Sequence, residues 1–85
     1  MDIESTVIIE LFGTQRAVAG LDSIEMPIGE KTLAKDVFRF LSANFPKMHL
    51  DQERLHLIVN NEIVYPEKVL MANDTVCLIP HIGGG

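Results

Sequence analysis

Three consecutive glycines, Gly83-Gly84-Gly85, stand at the C-terminal end of this 85-residue sequence. Gly makes up about 7% of average sequences, so a run of three at one named place arises by chance roughly 3 times in 10,000. Glycine has no Cβ and little bulk. An end built from it can thread a narrow channel and present a bare carboxylate to an enzyme. The terminus itself is therefore the expected reactive group. The alternative is a flexible linker end, because Gly-rich tails are also ordinary linkers.

The other candidate groups offer less chemistry. A reactive thiol needs an electropositive, partly exposed setting. Cys77 lies between apolar Val76 and Leu78, and no Lys or Arg follows Lys68. It reads as an inert strand cysteine rather than a nucleophile or sulfur donor. A single Cys also excludes an internal disulfide and any four-Cys zinc or iron–sulfur site within one chain. His49, His56 and His81 show no metal-ligand spacing, so no metal is expected. His81 precedes the glycines by one residue. It either contacts a partner's active site or simply faces solvent at the root of the tail. No G-x-x-x-x-G-K-S/T loop is present, and no helix follows residues 83–85 to aim its N-terminus at a phosphate. The carboxylates are scattered. Nothing builds a self-contained active site, which points to a substrate or carrier rather than a catalyst.

The elements that must position such a tail follow from the periodicity. Thr6 to Phe12 reads as a first strand, with Val7, Ile9 and Leu11 on one face and Ile8, Glu10 and Phe12 on the other. Gly13 to Gly20 is glycine-bounded, a turn or short helical loop. Leu21 to Met26 alternates as a second strand, ended by Pro27-Ile28-Gly29. Thr32 is placed to cap a helix over Leu33 to Phe45, where Leu33, Ala34, Val37, Phe38, Leu41 and Phe45 form an apolar stripe. Pro46 closes it. Leu55 to Val59 is a third strand; Asn60-Asn61 turns it into a short fourth, Glu62 to Tyr65. Asn73-Asp74 reads as a turn before a last strand, Val76 to Ile79, ended by Pro80.

One amphipathic helix must bury its stripe on one face of a mixed sheet. The expected class is α+β, a β-grasp or ubiquitin-like domain over residues 1–80. Its first and last strands lie parallel and adjacent, and a free tail over residues 81–85 follows. One helix cannot cover both sheet faces. The opposite face would carry Ile8, Phe12, Ile58, Cys77 and Ile79. An apolar patch of that kind is a docking surface, or else loops cover it. Phe12, Ile58 and Ile79 are the docking residues this reasoning selects.

Composition narrows the partners. The charged fraction is ordinary, the net charge is −5, and the seven Lys and Arg are scattered. With no basic stripe, nucleic acid is not an expected partner. No apolar run approaches the ~18 residues that span a bilayer. Met1-Asp2-Ile3-Glu4 opens no signal peptide, so the expected location is the cytoplasm, away from membranes.

These residues resemble a known family. Ile79-Pro80-His81-Ile82-Gly83-Gly84-Gly85 is similar to the Pro-x-x-small-Gly-Gly ending of the small subunit of molybdopterin synthase, of the MoaD/ThiS-like sulfur carriers. Phe12-Gly13-Thr14-Gln15-Arg16-Ala17-Val18-Ala19-Gly20 looks like that family's first loop, Phe-small-x-x-Arg-Glu-x-Ala-Gly. Asn73-Asp74-Thr75-Val76 sits where the family turns into its last strand. The similarity runs in order over nearly the whole chain. Four positions depart: Gln15 stands in place of an apolar residue, Ala17 of an acidic one, His81 of a second Pro, and Gly83 of Ala or Ser.

The resemblance implies a mechanism. An E1-like enzyme adenylates the Gly85 carboxylate with ATP, and a persulfide or sulfide displaces AMP to leave a thiocarboxylate. The tail then enters the large synthase subunit and delivers its sulfur to a pterin, building the dithiolene that binds molybdenum or tungsten. Acyl-adenylate and thiocarboxylate are transient modifications, and no permanently bound cofactor is implied. Gly83 and Gly84 keep the tail narrow, Pro80 and Ile82 set its exit from the sheet, and His81 belongs to the threading segment between them. Two other readings use the same activation: a sulfur carrier for thiamine or another sulfur-transfer pathway, and a ubiquitin-like modifier joined to protein lysines. A plain binding module with an idle tail is a further alternative.

Overall fold

The computed structural model describes residues 5–81. Along them the alternating apolar runs become five strands, and the longer-period stretches become two helices. In chain order these are β1 (Ser5–Glu10), α1 (Gly13–Ala19), β2 (Ser23–Ile28), α2 (Asp36–Asn44), β3 (Leu55–Val59), β4 (Glu62–Val64) and β5 (Thr75–Pro80). They build one mixed sheet in the order β2-β1-β5-β3-β4. β1 and β5 pair in parallel, with Ile9 beside Val76. The β1–β2, β3–β5 and β3–β4 pairs are antiparallel.

The core lies between the sheet and α2. Val7, Ile9 and Leu11 from β1 and its end, Met26 from β2, Leu57 and Val59 from β3, and Val76 and Leu78 from β5 are buried. They pack with Val37, Phe38 and Leu41 of α2 and with Ala34 just before it. Met48 and Leu70 close the two ends of this layer from loops. Burying one such side chain is worth about 1.5–3 kcal/mol, and this layer supplies most of the driving force for folding.

Several boundaries differ from the sequence expectation, each for a tertiary reason. Thr32 does not cap α2. Its Oγ1 accepts the Gly29 N–H at 2.8 Å instead. The N–H groups of Ala34 and Lys35 donate to the carbonyls of Lys68 and Pro66, at 2.7 and 2.9 Å, and Leu33 bridges to Val69. That strap takes the backbone groups an earlier helical turn would use, so α2 starts at Asp36, whose Oδ2 accepts the Leu33 N–H at 2.8 Å. The first strand stops at Glu10 because Phe12 becomes the N-terminal boundary of α1, and the fourth stops at Val64, short of Tyr65.

Pro27 does not end its strand, whereas Pro80 is the last residue of its own. β2 runs through Pro27 to Ile28. Antiparallel strands alternate hydrogen-bonded and open residue pairs. The Leu11 N–H donates to the Asp22 carbonyl at 2.9 Å, which fixes the phase of the β1–β2 ladder. In that phase Pro27 faces Thr6 as an open pair on an edge strand, where a missing N–H breaks no bond.

The loop from Gly13 to Gly20 is a helix of 7 residues. Its flanking glycines both take positive φ, +53° at Gly13 and +70° at Gly20. Gly20 ends the helix in the left-handed conformation, its N–H donating to the Arg16 carbonyl at 2.8 Å.

Candidate functional site at the end of the last strand

β5 is an interior strand, held on both sides, and it delivers the chain to its C-terminal residues. The Asn60 N–H donates to the Thr75 carbonyl at 2.8 Å, and the His81 N–H to the Arg54 carbonyl at 3.0 Å. Both bonds give the β3–β5 ladder one phase: Asn60/Thr75, Ile58/Cys77, His56/Ile79 and Arg54/His81 are bonded pairs. Pro80, opposite Leu55, falls on an open pair, so its missing N–H leaves the ladder intact. Sheet hydrogen bonding thus reaches His81. Of the residues singled out for the tail, Pro80 and His81 are placed here; Ile82, Gly83, Gly84 and Gly85 lie outside the described residues.

On the sheet face away from α2, the His56 and His81 imidazoles stack, with ring centroids 3.7 Å apart and planes 14° from parallel. They are diagonal neighbours across β3 and β5, within reach for aromatic side chains. His49 lies elsewhere, beside a groove of about 300 Å³ next to Pro80 that Phe12, Leu55 and Leu78 also line. The three histidines converge on no metal geometry, and no cluster of three metal-ligating side chains exists among the described residues.

The first loop meets the last strand through Gln15, the one buried polar side chain among the described residues. β1 turns its even-numbered N–H groups toward β5, as the Ile8 bond to the Asp74 carbonyl at 2.9 Å shows. Two steps on, no direct backbone bond joins Phe12 to Leu78. The Gln15 carboxamide fills the gap: Oε1 accepts from the Phe12 N–H at 3.5 Å, and Nε2 donates to the Leu78 carbonyl at 3.1 Å. A side-chain amide here imitates a peptide group. That is the physical reason for the departure from an apolar residue at position 15.

The open face carries a row across all five strands: Ile63, Ile58, Cys77, Glu10 and Ser23. Ile58 and Ile79 are half-buried on it and Ile8 is 39% exposed; Phe12, past the end of β1 and 41% exposed, lines the groove with Leu55, Leu78 and Pro80. Ile63, 66% exposed, joins the patch from β4 and was not among the selected docking residues. Cys77 is half-buried beside Glu10. Burial first, and then the Glu10 carboxylate, push its thiol pKa up from the ordinary value. Both effects disfavour the thiolate, as expected for a cysteine without a nucleophilic role.

Five strands in this order, one helix across one face and a central parallel β1–β5 pair define a ubiquitin-like β-grasp domain. The chain matches the ThiS family over residues 9–85 and belongs to it. No curated protein sequence matches it. Among solved structures, small archaeal modifier protein 1 of Haloferax volcanii superposes with a TM-score of 0.77 at 18% identity, covering 89% of this chain and 97% of that one. A Pyrococcus furiosus protein assigned as molybdopterin converting factor subunit 1 gives 0.75 at 21% identity, with the same coverage of 89% and 97%. Urm1 of Trypanosoma brucei gives 0.68 at 18%, with 100% of both chains covered. At such identities the structures establish the shared fold, that of the ThiS/MoaD-like sulfur carriers. Members of the family work with E1-like enzymes and partner subunits.

Proposed function

We propose that this chain is a sulfur carrier for molybdopterin synthesis, with Gly85 as the terminus that bears the sulfur. The observation carrying the reading is the run Gly83-Gly84-Gly85, which begins three residues past a proline held in the ladder of an interior strand. A rigid sheet delivers the chain, and side-chain-free residues end it.

A Gly85 carboxylate oxygen attacks the α-phosphorus of ATP, supplied by an E1-like partner, and pyrophosphate leaves. The acyl-adenylate now has AMP as a leaving group. Hydrosulfide displaces AMP directly to give the thiocarboxylate. A protein persulfide gives an acyl disulfide instead, whose S–S bond a second thiol cleaves to the same product. Within this chain, Gly83 and Gly84 admit the end to the partner's channel, and Pro80, His81 and Ile82 direct it. Phe12, Ile58 and Ile79 dock the open face against the activating enzyme and then against the acceptor, the large synthase subunit. ATP is consumed at the partner's site, and the reading gives this domain no resident cofactor.

The likeness to small archaeal modifier protein 1 and Urm1 favours a second reading, in which the activated Gly85 is transferred to protein lysines. A carrier for thiamine or another sulfur-transfer pathway differs from the main proposal only in its acceptor.

Intact mass tests the proposal. The protein is incubated with ATP, an E1-like activating enzyme and a persulfide source, beside a chain lacking Gly85. The expected result is a gain matching one oxygen replaced by sulfur, in the full chain alone. Isopeptide conjugates without that product would favour the modifier reading. The thiocarboxylate product is then offered to a molybdopterin synthase large subunit with its pterin precursor, and failure to transfer sulfur there would redirect the acceptor assignment.

A further inference from the structure

Among the described residues His81 is the last tied to the sheet, and two contacts tie it: its N–H to the Arg54 carbonyl at 3.0 Å, and its ring on His56 at 3.7 Å. A single backbone bond at a strand end opens readily, because termini fray at little free-energy cost. The preceding residue, Pro80, contributes no donor to this ladder. The side-chain stack is therefore what distinguishes this strand end from an ordinary frayed one.

We propose that His56 and His81 form a clasp that fixes where, and in which direction, the chain leaves the sheet. Both are positioning residues; neither touches the reacting atoms. The four residues after His81 reach at most about 14 Å when extended. Over so short a lever, a change of heading at His81 displaces a carboxylate at Gly85 by several Å, so a fixed heading lowers the ordering cost of entering a partner's channel. His56 supplies a flat surface from a paired interior strand, β3, bonded on both sides, and cannot itself swing away with the tail. The use of the clasp rests on the carrier reading; its existence does not.

The test uses the full chain in three forms: wild type, His56→Ala and His56→Phe. Solvent-exchange NMR reads the His81 amide. It is expected to exchange roughly 2- to 10-fold faster in His56→Ala, the range one aromatic stack supplies, and to return toward wild type in His56→Phe, whose ring restores the stack. Amides of the β1–β5 pair keep their protection in all three, which shows that the fold is intact. Activation by the E1-like enzyme reads the consequence. KM for the carrier rises several-fold in His56→Ala with kcat near wild type, and recovers in His56→Phe. An unchanged His81 amide in His56→Ala overturns the clasp whatever the kinetics. A faster amide with unchanged KM overturns its positioning role. If wild type itself is never activated, the carrier reading and the positioning role fall together, while the amide data still decide whether the clasp exists.

Discussion

At the scale of single residues, Gln15 and Cys77 show how one side chain's surroundings set its behaviour. Gln15 substitutes for a missing ladder step by serving the Phe12 N–H and the Leu78 carbonyl together. An unsatisfied buried polar group costs about 1–3 kcal/mol. Gln15→Leu, which keeps the volume and removes both bonds, is expected to lose about 2 kcal/mol of stability, read as a fall in Tm of about 10 °C. For Cys77, burial and Glu10 raise the thiol pKa in the folded chain above its unfolded value. The folded state then holds this proton more tightly, so the contribution is fully present below the unfolded thiol pKa. It is lost as pH rises through the folded one. Denaturation measured across the alkaline range should therefore show a steeper loss of stability in wild type than in Cys77→Ala. At neutral pH the same thiol should react with iodoacetamide more slowly than free cysteine does.

At the scale of elements, the β3–β4 hairpin depends on turn chemistry. Asn60 and Asn61 both take positive φ, +50° and +71°, the pattern of a two-residue turn whose twist matches the strands. Asn60 does more: its Nδ2 donates to Asp74 Oδ1 and its Oδ1 accepts the Thr75 N–H, both at 2.9 Å, tying the hairpin to the start of β5. Asn61 has no such side-chain bond among the described residues, so only its backbone conformation constrains it. Asn61→Gly should leave stability equal or slightly higher, while Asn61→Val should lose about 1–2 kcal/mol in chemical denaturation. Equal stability for Gly and Val at position 61 would show that the turn relaxes to another type.

At the scale of the whole molecule, the sheet has one face buried under α2 and one face open, and the open face holds apolar side chains beside the strand that leads to the glycines. Ile58→Lys lies on that face, outside the buried core. It is expected to leave Tm within a few degrees of wild type while weakening association with the activating enzyme in a titration at constant salt. Gly84→Val tests the other half of the division of labour. Tm is expected to be unchanged, whereas a Cβ at this position should crowd the partner's channel and abolish the sulfur mass gain. A marked fall in Tm for Gly84→Val would show that the tail is part of the folded structure.

The strands, the apolar stripe of α2 and the glycine end were all legible in the sequence, because alternation, helical period and glycine content are local signals; the parallel β1–β5 centre followed from the β-grasp class that the element order implies. Val7, Ile9 and Leu11 announced their shared face in five consecutive residues, and the structure buries all three. What the tertiary structure alone decided depends on pairing between distant residues. Pro27 looked like a strand end and is not one, while Pro80 does close β5; the phase of each ladder places both at open pairs, and no local pattern reports that phase. Thr32 looked like a helix cap until the strap at Pro66 and Lys68 claimed the following N–H groups. Gln15 and Leu78 stand 63 residues apart in the chain, and His56 and His81 belong to different strands. Each of those contacts exists only once the sheet order and register bring its two partners together, which is why the residues that shape the exit of the chain were individually visible and their joint role was not.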